Sequence, residues 1–317
     1  MSAAEKYKAE ELPLVSIAMC TYNGEKYLAE QINSLLAQTY AHIEVVVVDD
    51  ASTDTTRQIL EEYSLKDKRL RYFVNEQNIG FNRNFEKAIS LCSGNFIAVS
   101  DQDDIWEAGK TGQMMKEWPA GSFFVYSLSG SFTGNDFAAR KAAPNVVYTG
   151  ISDVHMLVFN SPVHGHACMF RKELVPLCTP FPEDIFYDWW MSMHAAATGV
   201  IGCIPQTLTW HRQHESNSSR FLTSIKDEEE RNEQLRKQCA FFIETFCSRD
   251  LLQEREKDSL MLYASLLKEM NGKKFSWKMF RYVIRNRKLV FHYKKPKPFI
   301  FFSYLKHAYR MAYRGLL

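Results

Sequence analysis

His42-Ile-Glu-Val-Val-Val-Val-Asp-Asp50 is the stretch of sequence that decides the fold. Its four consecutive valines are typical of a strand that is covered on both faces, as in a parallel sheet. Three further strand-like runs alternate with three helix-like segments along the chain: 14–20, 25–38, 51–63, 69–74, 78–92 and 95–100. This alternation predicts the α/β class, with a mostly parallel, doubly wound sheet flanked by helices.

The predicted strands end in acidic residues. Asp49 and Asp50 end the valine strand, and Asp101-Gln-Asp-Asp104 directly follows the strand at 95–100. Ligands of doubly wound sheets bind at the carboxyl ends of the strands, where these side chains are expected to meet. Closely packed carboxylates repel one another unless a cation neutralises them, and oxygen ligands suit Mg²⁺ or Mn²⁺. The alternative is that one of the last two aspartates caps a helix beginning near Ile105.

The composition is that of a globular protein with a substantial core. The chain has 317 residues, of which 46% are hydrophobic, which suits one large domain with an appendage. Its seven cysteines are scattered and form no C-x-x-C pair, which favours reduced thiols in a cytosolic protein. The first 13 residues lack the pattern of a signal peptide, and no run reaches the roughly 18 apolar residues of a spanning helix.

The charge is distributed unevenly along the chain. Residues 271–317 carry 13 Lys/Arg and no Asp/Glu, whereas residues 1–270 carry 26 basic and 37 acidic residues. The basic tail also contains many aromatic residues, among them Phe275, Trp277, Phe280, Tyr282, Phe291, Tyr293, Phe299, Phe301, Phe302 and Tyr304. Basic and aromatic residues at helical spacing suit an anionic membrane surface, and a solvated helical cap on the catalytic domain is the alternative. No RNA-binding module pattern is present, so we expect no nucleic-acid partner.

The first 220 residues are predicted to form the catalytic domain, and 221–317 a helical, basic extension. Local patterns predict strands and loops over 118–164, a helix over 187–198, a strand over 199–205, a polar, mobile segment over 209–220 and two helices over 227–270.

The chain lacks the sequence motifs of two common classes of nucleotide-binding protein. The turn after the first strand, Cys20-Thr-Tyr-Asn-Gly24, does not match the G-x-G-x-x-G of dinucleotide-binding dehydrogenases. The chain also contains no G-x-x-x-x-G-K-[ST], which argues against a P-loop phosphotransferase. A catalytically inert binding module remains the alternative to an enzyme.

Four motifs resemble family 2 glycosyltransferases with the GT-A fold. They are Val15-Ser-Ile-Ala-Met-Cys-Thr-Tyr-Asn23, Val47-Val-Asp-Asp-Ala-Ser-Thr-Asp54, Asn78-Ile-Gly-Phe-Asn-Arg-Asn84 and Ser100-Asp-Gln-Asp-Asp-Ile-Trp106. Two later motifs, Phe186-Tyr-Asp-Trp-Trp190 and Trp210-His-Arg-Gln-His-Glu-Ser-Asn217, resemble the bacterial rhamnosyltransferase branch. The resemblance covers about residues 13–220. It implies inverting, metal-dependent transfer of a sugar from dTDP-rhamnose or another nucleotide sugar, such as a UDP-sugar.

The resemblance also implies an acceptor and a location. The acceptor is expected to be a hydroxyl of a bacterial surface glycan or a lipid-linked glycan. The protein is then cytoplasmic and peripheral on the inner face of the cytoplasmic membrane.

The same resemblance implies a role for each candidate site residue. The metal, Mg²⁺ or Mn²⁺, is assigned to Asp103 and His214. Residues near the donor nucleotide are Cys20, Tyr22, Asp50, Asn84 and Asp101. Asp188 is the expected general base, with Glu183 and Asp184 competing for that role. The residues expected on the acceptor side or in auxiliary roles are His166, Trp189, Trp190 and His211.

Overall fold

The computed structural model describes residues 12–142, 150–214, 227–270, 274–294 and 298–315. The chain forms two compact units. The first consists of Met1–Ser152 and Val163–His214, and the second of Asp153–Pro162 and Glu215–Leu317. The predicted domain boundary at 220/221 lies outside the described residues.

The first unit alternates strands and helices, as the sequence predicts. Its first half contains β1 (Val15–Thr21), α1 (Leu28–Leu36), β2 (Ile43–Asp49), α2 (Thr56–Lys66), β3 (Leu70–Val74), α3 (Phe81–Ser90) and β4 (Phe96–Ser100). Its second half contains β5 (Ile105–Trp106), α4 (Lys110–Lys116), β6 (Ser122–Thr133), β7 (Cys168–Arg171), α6 (Val175–Cys178), α7 (Tyr187–Thr198) and β8 (Val200–Gln213). Helix α5 (Val154–Asn160) belongs to the second unit.

All eight strands form one sheet in the order β3-β2-β1-β4-β7-β6-β8-β5. The first four strands are parallel, as predicted. Strand β7 is antiparallel to β4 and β6, β6 and β8 are parallel, and β5 is antiparallel to β8. The sheet is therefore mixed. Its first half consists of the four parallel strands β1 to β4. In register, Thr21 lies beside Asp49, and Met19 beside Ser100, so the acidic strand ends share one edge.

The apolar periodicity of the sequence explains how helix and sheet pack. Leu28, Ile32 and Leu35 of α1 lie four and three residues apart, so they share one helix face. They pack in one core cluster with alternate residues of β1, including Ile17 and Met19, and all five side chains are fully buried. Burial of each such side chain contributes about 1.5–3 kcal/mol, which fixes the helix against the sheet.

Two local predictions in the first unit are wrong. Ile105 does not begin a helix, because Ile105 and Trp106 pair with Trp210 and Thr209 of β8, and the helix begins at Lys110 instead. Residues 209–213 are not a mobile segment, because they extend β8 along β6. The polar residue types of this stretch predict a loop, but His211 and Arg212 form hydrogen bonds with Asp104 and Asp103 in the loop after β4. Residues 215–220 lie outside the described residues.

The second unit is helical. It contains α5, α8 (Glu228–Cys247), α9 (Glu254–Glu269), α10 (Trp277–Arg285), α11 (Arg287–Val290) and α12 (Ile300–Arg314). Two helices over 227–270 are thus confirmed, whereas the expectation of only strands and loops over 118–164 is wrong at α5. Side-chain caps start α8 at Asp227 and α10 at Ser276. Among the described residues, no helix is long and apolar enough to cross a membrane.

Candidate active site

The candidate active site lies in the first unit, at the carboxyl edge of the parallel strands. The loop at 101–104 leaves β4 at this edge. The end of β8 reaches the same loop because β5, directly after the loop, pairs with β8. Residues distant in sequence, from the acidic motif and from the histidine motif, are therefore neighbours.

Asp103 is paired with a histidine of the second motif. Its Oδ2 lies 2.6 Å from Nε2 of His214, and its side chain is 15% exposed. Burial, followed by the charges of Asp104 and Asp101, raises the pKa of Asp103 to about 6. The two residues that the sequence assigns to a metal are thus in direct contact.

Asp104 points into the protein, away from His214. Its Oδ1 accepts hydrogen bonds from the backbone N–H of Arg212 (3.0 Å) and from Nδ1 of His211 (3.1 Å). Its Oδ2 lies 3.6 Å from Nδ1 of His166. Burial favours the neutral acid, but His166 and His211 outweigh it and hold the pKa of Asp104 below its usual value. Burial likewise lowers the pKa of His211, but Asp104 outweighs it and raises that pKa to about 9.

Sequence reasoning missed the role of Arg212. The side chain is fully buried, and its guanidinium donates to the carbonyl oxygens of Asp103 (2.7 Å) and Gly134 (2.5 Å) and to Oε2 of Glu30 (2.7 Å). It also lies 4.2 Å from the ring centroid of Tyr27. Arg212 therefore ties the acidic loop to α1 and to the end of β6. The sequence shows this arginine between two histidines, but its partners become apparent only from the strand pairing.

We expect Arg212→Met to lower the free energy of unfolding by about 3 kcal/mol, because buried carbonyl acceptors lose their donors. Chemical denaturation measures the change. Arg83→Met is the control, since Arg83 is a part-exposed arginine whose ion pair with Glu183 contributes at most about 1 kcal/mol. Equal stability losses in the two variants would contradict the role given to Arg212.

The turn after β1 is fixed to the acidic loop by a glutamine that the sequence analysis did not select. Oε1 of Gln102 accepts from the backbone N–H of Tyr22 (2.9 Å), and its Nε2 donates to the carbonyl of Tyr22 (3.2 Å). The Tyr22 ring remains 48% exposed at the edge of the sheet. Cys20 lies on β1 nearby, and burial, together with Asp101 and Asp50, raises its pKa well above its usual value. Its thiol is therefore neutral.

Asp50 and Asn84 are buried and already hydrogen-bonded within the protein. Asp50 accepts from the backbone N–H groups of Ile79 (2.9 Å) and Gly80 (3.0 Å) and from Nδ2 of Asn75 (2.8 Å). Asn84 donates to the carbonyl of Val48 (2.9 Å) and accepts from Asn75 (2.9 Å). Asp50 thus holds the segment at 79–80 beside the end of β2, and Asn84 fixes the start of α3 to β2. Their direct contact with a nucleotide remains a prediction.

Asp188 lies in the first turn of α7, beside the acidic loop. Its Oδ2 accepts from the backbone N–H of Gly165 (3.0 Å) and its Oδ1 from that of Trp189 (2.8 Å). Burial raises the pKa of Asp188, and the charge of Asp101 adds to this effect. A Cβ at position 165 would lie 2.2 Å from the Tyr187 hydroxyl, so glycine permits the close approach of α7.

The competing acids Glu183 and Asp184 have different surroundings. Both are exposed, and Glu183 pairs with Arg83 at 3.3 Å. Asp188, by contrast, is held by two backbone N–H groups, and burial raises its pKa, which suits a base.

The two tryptophans after Asp188 differ in position. Trp189 is partly exposed. Trp190 is fully buried, and its indole N–H donates to the carbonyl of Cys178 at 2.7 Å. The sequence predicts Trp190 on the acceptor side or in an auxiliary role, but its fully buried ring has no surface open to an acceptor. Helical periodicity places neighbouring residues about 100° apart, so the two adjacent tryptophans point in different directions.

His166 and His211 lie within the acidic cluster. Their rings are nearly parallel, with centroids 5.0 Å apart. Nδ1 of His166 lies 3.5 Å from Oδ2 of Asp101, and its Nε2 is hydrogen-bonded to Oγ of Ser129 at 2.8 Å. Both histidines therefore lie beside the charged edge, and their auxiliary role stays a prediction.

The residues fit a divalent metal ion. In the described part of the chain, Asp104, His166 and His211 offer ligand atoms within 4.8 Å of one another. Asp103 and His214 form an adjoining carboxylate–imidazole pair. Carboxylate and imidazole together suit ions such as Mn²⁺. The buried Oδ2 of Asp104 has no hydrogen-bond partner among the described residues, which is a further sign that a cation completes this region.

The motif resemblance is confirmed by comparison with known proteins. The model of the family "Glycosyl transferase family 2" matches residues 16–176, just over half of the chain. The chain belongs to glycosyl transferase family 2. Its mixed α/β sheet with flanking helices is a GT-A-type fold, similar to that of TarS. Residues 1–349 of TarS from S. aureus, in a structure with UDP-GlcNAc, superpose with a TM-score of 0.60 at 19% identity, over 96% of this chain and 91% of that one.

Several glycosyltransferases and uncharacterized proteins have similar sequences. An uncharacterized glycosyltransferase of Haemophilus influenzae is 28% identical over 236 residues, which are 69% of this chain and 71% of the relative. The Escherichia coli protein WfgD is 31% identical over 182 residues, 57% of this chain and 69% of its own length. WfgD is described as a UDP-Glc:alpha-D-GlcNAc-diphosphoundecaprenol beta-1,3-glucosyltransferase. Mycobacterial relatives match over 59% of their length.

Proposed function

We propose that this family 2 glycosyltransferase moves a sugar, with inversion, from a nucleoside diphosphate sugar to a hydroxyl of a bacterial surface glycan or a lipid-linked acceptor. The observation that carries the proposal is the proximity of two kinds of carboxylate at one sheet edge. Asp101 and Asp103 lie in the acidic loop, and the charge of Asp101 contributes to the raised pKa of Asp188 on α7. The two loop carboxylates suit the donor diphosphate and its metal, whereas Asp188 suits the acceptor hydroxyl.

Asp103 and His214 would hold Mg²⁺ or Mn²⁺, with Asp101 of the same loop near the donor nucleotide. When bound, such an ion supplies positive charge against the negative charge that develops on a departing diphosphate. The protein positions these ligands through Arg212, which is hydrogen-bonded to the Asp103 carbonyl. Gln102, between the two aspartates, fixes the same loop to the turn that carries Tyr22. Tyr22 is exposed, and its ring is proposed to stack on the base of the nucleotide.

Asp188 acts as the general base. The backbone N–H groups of Gly165 and Trp189 hold its carboxylate in one orientation. Its raised pKa makes it a stronger proton acceptor than an exposed aspartate. The carboxylate takes the proton of the acceptor hydroxyl as that oxygen bonds to the anomeric carbon, and the nucleoside diphosphate leaves from the opposite face. A single displacement of this kind inverts the anomeric centre.

Two observations favour different donor sugars. The motifs at 186–190 and 210–217 favour rhamnose, carried by dTDP. The glucosyltransferase activity of WfgD and the UDP-GlcNAc in the TarS structure favour a UDP-linked hexose or N-acetylhexosamine. We therefore propose dTDP-rhamnose and the UDP-sugars as the donors to compare.

A panel of nucleotide sugars tests the function. The protein is incubated with dTDP-rhamnose, UDP-glucose, UDP-GlcNAc and GDP-mannose, with Mn²⁺ or Mg²⁺, and with undecaprenyl-diphosphate glycans as acceptors. Release of nucleoside diphosphate and mass spectrometry of the lipid report transfer. We expect one donor to be used well above the others. A catalytically inert module would bind a nucleotide sugar and release no nucleoside diphosphate.

The second unit is proposed to bind an anionic membrane surface at the cytoplasmic face. Phe302, Lys306 and Tyr309 follow one another at helical spacing on one face of α12, and the two rings are 67% and 54% exposed. Phe275 extends this face, because its ring lies 5.3 Å from Tyr309 and 4.9 Å from Trp277. Exposed aromatic rings beside basic residues can insert at the lipid headgroups while the charges attract anionic lipid.

We expect Lys306→Gln combined with Arg310→Gln to weaken binding to anionic vesicles about 30-fold. Each basic residue near such a surface contributes about 1 kcal/mol, so two removed charges correspond to about 2 kcal/mol. Co-sedimentation with phosphatidylglycerol vesicles measures the change. The control is Lys237→Gln with Arg255→Gln, which removes the same charge from α8 and α9. Equal losses in both pairs, or equal binding to neutral vesicles, would contradict a specific membrane face.

A further inference from the structure

We propose that Asp104, His166 and His211 form a second cation site, and that this site selects a transition-metal ion over Mg²⁺. It is separate from the pair Asp103–His214, to which the diphosphate metal is assigned above. The side chains of Asp103 and Asp104 are adjacent in sequence but point to different histidines. The acidic loop thus presents two ligand sets.

The spacing of the three side chains fits coordination of one ion. Two ligand atoms that each lie about 2.1 Å from a metal are about 3.0–3.4 Å apart at octahedral or tetrahedral angles. Nδ1 of His211 lies 3.1 Å from Oδ1 of Asp104, and Nδ1 of His166 lies 3.6 Å from its Oδ2. All three residues supply ligand atoms within 4.8 Å of one another. Small rotations of the side chains therefore suffice to bind an ion.

A buried carboxylate oxygen of Asp104 that has no hydrogen bond gives independent support for the second cation site. Asp104 is fully buried, and its Oδ2 has no hydrogen-bond partner among the described residues. Leaving a buried carboxylate oxygen without a partner costs free energy, and most such atoms in folded proteins are paired. This oxygen faces Nδ1 of His166, which lies too far away for a hydrogen bond. A cation between them would satisfy both atoms.

The histidines are oriented as metal ligands are. Ligating histidines usually hold their second ring nitrogen in a hydrogen bond, which fixes the ring and its tautomer. Nε2 of His166 is hydrogen-bonded to Oγ of Ser129 at 2.8 Å, which directs Nδ1 toward Asp104 (3.6 Å) and Asp101 (3.5 Å). The ring of His211 is nearly parallel to that of His166, and its Nδ1 also faces Asp104.

The ligand types determine which ions suit the site. Two imidazoles and one carboxylate bind Mn²⁺, Fe²⁺, Co²⁺ or Zn²⁺ well. Mg²⁺ prefers six oxygen ligands and retains several water molecules, for which a buried site with two imidazoles is poorly suited. The site is therefore expected to hold a transition metal when Mg²⁺ is in large excess.

The test uses Co²⁺ alone with the metal-free, full-length protein and no nucleotide. Calorimetry and the visible absorption of Co²⁺ report binding. Asp103 and His214 supply only two protein ligands when no diphosphate is present, so we expect one Co²⁺ to bind, at Asp104, His166 and His211. This ion should bind with a micromolar Kd and remain bound in a 100-fold excess of Mg²⁺. His166→Gln and His211→Gln are each expected to weaken this binding at least tenfold, while His214→Gln, the matched control, retains it. Ser129→Ala leaves all three ligands in place and should weaken binding about tenfold through loss of the orienting hydrogen bond.

Three results would overturn the proposal: a Kd above 1 mM for the wild-type protein, unchanged binding in the Gln variants at 166 and 211, or an equal loss in His214→Gln. If a Gln variant fails to fold, the wild-type titration and Ser129→Ala decide alone. No nucleotide sugar is present, so a negative result here leaves glycosyl transfer untouched. Failure of the donor panel, conversely, would not affect this binding test.

Discussion

Asp103→Asn should lower the turnover of donor about 10³-fold and leave the fold intact. Asparagine fits the same space but has no negative charge, so the metal is held more weakly and the departing diphosphate loses electrostatic stabilisation, an effect of this size in other enzymes. Release of nucleoside diphosphate at saturating donor and Mn²⁺ measures the change, and circular dichroism checks the fold.

Asp67→Asn is the control for this variant. Asp67 precedes β3 and therefore lies at the opposite edge of the parallel strands. Its exchange should leave turnover near the wild-type value. Full activity of Asp103→Asn, or of the wild-type protein in excess chelator, would rule out the metal role of Asp103.

Asp188→Asn should lower turnover by about 10²- to 10⁴-fold while donor binding stays within a factor of about two of wild type, because a base contacts the acceptor. Calorimetry with donor and a turnover assay with acceptor separate the two effects. Glu183→Gln and Asp184→Asn serve as controls, since both residues are exposed on the loop before α7. A larger defect in Glu183→Gln would move the base to that residue. Lost donor affinity with unchanged turnover of bound donor would make Asp188 a binding residue.

The raised pKa of Asp188 has consequences for both activity and stability. The base acts as the carboxylate, so turnover should be full above its pKa and fall as the pH drops through it. This acidic limb should lie above the usual aspartate value of about 3.9. Because burial disfavours the charged form, ionised Asp188 destabilises the folded state as the pH rises through its raised pKa. Asp188→Asn should therefore be no less stable than wild type at neutral pH, which separates a catalytic defect from unfolding.

The parallel half of the fold follows from the sequence because its signals are local. A few neighbouring residues suffice to predict burial in each element. These are the consecutive valines of β2 and, in α1, the spacing of Leu28, Ile32 and Leu35. The position of Asp49 and the 101–104 loop at one edge then follows from the general topology of parallel strands.

The remaining features depend on contacts between distant residues. Polar residues at 209–213 read as a loop, and only their pairing with β6 shows that they form a strand. The role of Arg212 arises from partners as distant as Glu30. The burial of Trp190 depends on the packing of α7, which adjacent tryptophans in a motif do not reveal. The sequence therefore predicts which residue types form the site, whereas the tertiary structure determines which of these residues remain accessible.

Titration of UDP and dTDP into the protein tests the central claim most directly, because it needs neither the acceptor nor the correct sugar. The claim is that the edge formed by Asp101 and Asp103 holds a nucleoside diphosphate through a divalent metal. We predict that at least one nucleotide binds in Mn²⁺, that chelator abolishes binding, and that Asp103→Asn weakens it at least tenfold while Asp188→Asn does not. Binding that is unchanged by both chelator and Asp103→Asn would contradict the account.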